Sequence, residues 1–209
     1  MNTYHWITLI ASVLCLTGLL FHFIRLIHLG LPVNFSTPAG NPGRAIVYSF
    51  IGAMSPQNKE SACLHLPTYA AGIMYHMGTF LSLAYIPFAF LGVTQPPELS
   101  ICFAGILLLS TACGLGMVAK RVYKKELRRL SNLDDFISNL LVTFFQLATT
   151  VILVKGHTHP LYYIILSFLL LYIPIGKLKH LIYFFAARIH LGYFYGHRGV
   201  WPPTNDIKG

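Results

Sequence analysis

Five stretches of this chain are each apolar over about the length a bilayer demands, and that leaves few folds open. A membrane-crossing helix needs roughly 20 mostly apolar residues, and residues 5–28, 68–92, 99–119, 136–154 and 161–186 meet that requirement. Composition agrees: 55% of residues are hydrophobic and 10% are charged, where soluble domains carry about 25% charged. The sequence predicts an all-α integral membrane protein, a five-helix bundle forming one membrane domain over 1–209. The first window has no basic segment ahead of it and no small-x-small site after it. It is therefore expected to be a retained helix and not a cleaved signal.

A net charge of +9 could suggest nucleic acid until the charges are placed. With five crossings, Arg25, Arg44 and Lys59 fall in or beside the loop 30–64, and six basic residues from Lys120 to Arg129 fill the loop 120–133. Lys177, Lys179, Arg188, Arg198 and Lys208 belong to the C-terminal end and the tail 187–209. Only Lys155 falls on the other side. The positive-inside rule then places the N-terminus outside, and both basic loops and the C-terminus in the cytoplasm. The charge thus describes solvated cytoplasmic loops, and no nucleic-acid partner is expected. Within the first loop, residues 45–54 are apolar but too short to cross, so they are expected at the interface or against a partner.

An ionisable side chain inside a span is costly and asks for a functional reason. His76, in Tyr75-His76-Met77-Gly78, and His180, at the end of Pro174-Ile175-Gly176-Lys177-Leu178-Lys179-His180, are two such residues. His76 lies roughly 13 Å into the second helix, counted from Pro67 at 1.5 Å per residue. His180, late in the fifth helix and running the other way, is expected in the same cytoplasmic half. Two imidazoles on facing helices can ligate a haem axially. His65, just before Pro67, is the substitute for His76. His22 and His28 are six residues apart, a turn of about 240°, and cannot share a helix face. His5, His157, His159, His190 and His197 read as solvated or interfacial.

Several neighbours admit two readings. Gly72, one turn before His76, allows close approach of a flat macrocycle or tight helix packing. Lys177, Lys179, Arg188 and Arg25 could neutralise haem propionates or snorkel to the interface. Pro174 is expected to kink the fifth helix. Asp134, Asn139 and Gln146 on the fourth helix could be interhelical glue or could bond a quinone. Cys15, Cys63, Cys102 and Cys113 form no C-x-x-C pattern, so neither a zinc site nor a c-type haem attachment is expected.

Together these segments resemble the respiratory nitrate reductase gamma subunit family of haem b membrane subunits. Residues 174–180 are similar to its Pro-Phe-Ser-Arg/Lys-Leu-x-His signature, and Tyr75-His76-Met77-Gly78 to its Phe-His-Ile-Gly. The tail Arg198-Gly199-Val200-Trp201-Pro202 resembles the branch found in heterodisulfide-reductase-like complexes and in the transmembrane redox complexes of sulfate reducers. The resemblance implies one haem b on the cytoplasmic side, held by His76 and His180, and a quinone, menaquinone, as substrate. It also implies a cytoplasmic iron–sulfur subunit as partner, in a prokaryotic inner membrane. The family's nitrate reductase members hold a second, outer haem through histidines whose positions here are Ile86 and Tyr162. Both ligands are missing together, so one haem is expected; His157 or His159 could support only one side of a second. A periplasmic cytochrome c as partner would need another membrane subunit to bridge the outer leaflet. Two other classes stay open: a haem-free anchor or assembly subunit, and a small transporter. Against the transporter stand the lack of an internal repeat and of mid-membrane carboxylates.

Overall fold

The computed structural model describes residues 2–31, 33–58 and 64–203. Pro32, Lys59, Cys63 and Lys208 lie outside the described residues. These contain helices and turns and no strand: α1 (Thr3–Leu29), α2 (Pro42–Phe50), α3 (Leu66–Leu91), α4 (Pro97–Tyr123), α5 (Lys125–Leu130), α6 (Leu133–Lys155), α7 (Pro160–Tyr172) and α8 (His180–His197). Of these, α1, α3, α4 and α6 are long and apolar enough to cross a membrane, and α7 with α8 makes a fifth if the pair is one broken span. Leucines, valines and phenylalanines lie exposed along these helices. In water such a surface would aggregate; in lipid it is the ordinary outside of a span. Four or five such helices are compatible with a multi-pass membrane protein.

The fifth window departs from expectation. The sequence predicts one helix over 161–186, but α7 stops at Tyr172 and α8 starts at His180. Pro174 has no N–H to continue the ladder. The amides of Ile175 and Gly176 instead both reach back to the Tyr172 carbonyl, at 3.1 and 2.8 Å. Thirteen residues of α7 extend about 20 Å, short of the roughly 30 Å hydrocarbon core. The loop and tail segments also contain helix: α2 within 30–64, α5 within 120–133, and α8 continuing past 187 to His197.

The chain divides into two compact units, 1–18 with 67–178 and 19–66 with 179–209. In the first, α6 is the centre, packed on α4 and α7. Its start is specified locally: the Asn132 side chain accepts from the Asp135 amide, and the Asp135 carboxylate accepts from the Asn132 amide. That reciprocal cap satisfies two otherwise orphaned donors. Hydroxyls inside the unit are largely self-satisfied: Thr149 and Thr150 each donate to the carbonyl four residues earlier. On α1 only Thr8, Ala11 and Cys15 are buried, one narrow face. The Thr8 hydroxyl meets the Tyr163 carbonyl and the Ser167 hydroxyl of α7.

In the second unit α2 packs on α8. Ala45 and Ser49 face the seam, and a β-carbon on Gly192 would fall 2.4 Å from the Ile46 backbone. One on Gly196 would fall 2.5 Å from the Ala45 β-carbon. The Gly192-x-x-x-Gly196 spacing thus lets two backbones touch. Ser49 Oγ seals the contact by donating to the Arg188 carbonyl at 2.8 Å. The part of the apolar stretch 45–54 that lies in α2 thus packs on a helix of the same chain, while Val47 and Ile51 stay exposed.

Candidate functional site

His76 sits on α3 with its ring exposed, and its Nδ1 lies 2.8 Å from the Gly72 carbonyl. A carbonyl only accepts, so Nδ1 carries the proton and Nε2 presents a lone pair. This is the arrangement by which a backbone bond on one nitrogen orients a histidine for ligation through the other. Beside it, a β-carbon on Gly72 would meet no atom within 4 Å, so helix packing does not explain that glycine.

One residue away on the helix, Tyr75 points inward and is buried. Its hydroxyl donates to the Asn139 carbonyl at 2.8 Å and lies 2.9 Å from Thr143 Oγ1. Gln146, fully buried on α6, donates from Nε2 to the Tyr75 carbonyl (3.1 Å) and to Thr79 Oγ1 (2.9 Å). The open choice for Gln146 therefore falls to interhelical glue between α3 and α6, whereas the Asn139 side chain accepts from Thr143 of its own helix and joins α3 only through its backbone carbonyl. Because adjacent residues on a helix differ by about 100° in direction, anchoring Tyr75 inward sets the outward aim of His76.

Lys177 is committed elsewhere than expected. Its ammonium pairs with the Asp135 carboxylate at the start of α6, where Arg121 also approaches to 3.6 Å. Asp134 belongs to the same corner; its carbonyl accepts from the Tyr172 hydroxyl at 3.3 Å. Arg188 lies in the second unit, its guanidinium 3.4 Å from the Ser49 carbonyl and over the Phe184 ring. His180 is the first residue of α8 and exposed, where it was expected late in a continuous helix. His65 is exposed in the turn before α3. His76 and Gly72 therefore lie together in the first unit, and His180 and Arg188 belong to the second.

Ile86 and Tyr162 both join the packed core of the first unit, with Phe145 and Tyr163 among their companions. Tyr162 is 1% exposed, so this position is filled by packing. A cavity of about 210 Å³ lies near the far end of α3, lined by residues such as Tyr85, Phe88, Ser100 and His157. Its volume is below the roughly 300 Å³ at which small-molecule sites begin. Among the described residues no group of three or more His, Cys, Asp or Glu could hold a metal ion. The seam residues Gly192 and Gly196 were not singled out from the sequence, although their small-x-x-x-small spacing was there to be read.

Comparison with protein-family models, with curated proteins and with solved structures finds no match.

Proposed function

We propose that this chain is a haem b-carrying electron-transfer subunit of a quinone-linked respiratory oxidoreductase, with His76 and His180 as the axial ligands. The observation that carries the reading is the His76 imidazole, exposed on an apolar helix with its Nδ1 bonded to Gly72 and its Nε2 lone pair presented. Open space beside Gly72 supports it further, because a flat macrocycle can lie there. A bound haem supplies one-electron transfer, and the protein's part is to bind and orient it and to set its potential through ligands and burial.

The packing of Ile86 and Tyr162 in the core favours a single haem. If α7 and α8 together make a fifth crossing, 14 of the 15 Lys and Arg fall on one side, and this reading puts the haem in the cytoplasmic leaflet of a prokaryotic inner membrane. The partner in this reading is a cytoplasmic iron–sulfur subunit, and menaquinone is the membrane substrate. Since Lys177 is engaged by Asp135, propionate contacts in this reading fall to Lys179, Arg188 and Arg25.

A reduced-minus-oxidised spectrum of the purified chain tests the proposal. A b-type α band is expected. Its absence, with a partner protein still co-purifying, would leave the haem-free anchor; solute flux in liposomes holding this chain alone would point to a transporter.

A further inference from the structure

Lys124, Lys125, Arg128 and Arg129 gather on and beside the short helix α5, all exposed. None of the four makes an ion pair among the described residues. The cations just before them are occupied: Lys120 donates to Thr68 Oγ1, and Arg121 to Ser131 Oγ while approaching Asp135. Glu126 is the one acidic residue within the run.

Large apolar side chains interleave with these charges. Tyr123 is 87% exposed, Leu130 83% and Leu133 74%. They stand at the last residue of α4, the last of α5 and the first of α6, and α4 and α6 are both long and apolar enough to cross a membrane. The cluster therefore lies at the ends of spans, where hydrocarbon gives way to headgroups. Clustered cations with bulky apolar groups at that level match the phosphate of an anionic phospholipid above its acyl chains. An acidic protein would answer the charges but leave Tyr123, Leu130 and Leu133 unused at the hydrocarbon edge.

We propose that segment 123–133 is a binding site for anionic phospholipids, with Lys124, Lys125, Arg128 and Arg129 on the phosphate and Tyr123, Leu130 and Leu133 against the acyl chains. The site does not depend on any cofactor.

Native mass spectrometry of the full-length chain in non-ionic detergent, titrated with phosphatidylglycerol or phosphatidylcholine, tests it. The wild type should prefer phosphatidylglycerol by at least about tenfold, a floor that little more than one cation near an anionic surface supplies. The variant Lys124→Gln/Lys125→Gln/Arg128→Gln/Arg129→Gln should lose that preference while keeping its helical circular dichroism, and Lys155→Gln should keep the preference. If the quadruple variant does not insert, raising salt from 50 to 500 mM on the wild type should reduce the preference, since exposed charges are screened. Equal binding of the two lipids, a preference retained in the quadruple variant, or no response to salt would overturn the proposal. An acidic protein that co-purifies with the wild type and is lost from a quadruple variant with unchanged lipid preference would assign the surface to that protein instead.

Discussion

The ring of Tyr75 fills the space that a side chain on Gly114 would need. A β-carbon at Gly114 would stand 2.4 Å from Tyr75 Cε2 and 2.6 Å from Thr143 Oγ1. Neither neighbour can retreat cheaply, because the Tyr75 hydroxyl is bonded to the Asn139 carbonyl. This contact fixes the rotation of α3, and with it the direction in which His76 faces. Gly114→Val should cost about 1–3 kcal/mol, the usual range for an overpacked core. Thermal unfolding of the purified variant, followed by circular dichroism in detergent, should show a lowered midpoint; an unchanged midpoint would refute the lock.

Gln146 makes a contrasting prediction. Its Nε2 holds two partners, but its buried Oε1 has none. Gln146→Leu loses the two bonds and also removes an unsatisfied acceptor. Interhelical bonds in membrane proteins average about 0.6 kcal/mol, so the two effects nearly offset each other. The same unfolding experiment should show a change within about 1 kcal/mol, and a loss above 2 kcal/mol would mean that Oε1 is satisfied in the folded protein.

The break after α7 is tied down by the Asp135–Lys177 pair. Asp135→Asn or Lys177→Gln should loosen residues 173–179 and raise the rate of limited proteolysis there several-fold. The exchanged pair Asp135→Lys/Lys177→Asp should recover only part of the protection, because Asp135 also caps α6 through the Asn132 amide. Equal cleavage of all variants and wild type would show that the pair contributes nothing to the break, as exposed pairs often do.

At the α2–α8 seam, a side chain on Gly192 has no room against Ile46. Gly192→Val should separate the helices and speed amide hydrogen exchange across residues 42–50 by tenfold or more, while exchange in α6 stays as in the wild type. Unaltered exchange in α2 would contradict the close packing.

How much of this could be read from the chain alone depended on whether a feature is local. The spans α1, α3, α4 and α6 were legible because each is one long apolar run. The cap at Asn132 was legible from its residue types, and Pro174 signalled a distortion. That the distortion is a full break was not legible: a proline kink and a stop differ only in whether the next amides find a new acceptor, and here Ile175 and Gly176 both turn to Tyr172. The Lys177–Asp135 pair was not legible, because the two residues are 42 apart in sequence. The packing of Ala45 and Ser49 of α2 against α8 was equally hidden, since nothing near them names Gly192 and Gly196. The His76–Gly72 bond, four residues apart on one helix, follows from helical geometry, but its choice of tautomer required the side-chain rotamer.

The central claim concerns His76 and His180, and haem content per chain tests it most directly. Pyridine haemochrome assay of the purified wild type, His76→Ala and His180→Ala should give one haem b per wild-type chain and none in either variant, with helical content unchanged in all three. A wild type without haem, or two variants that both keep it, would contradict the account.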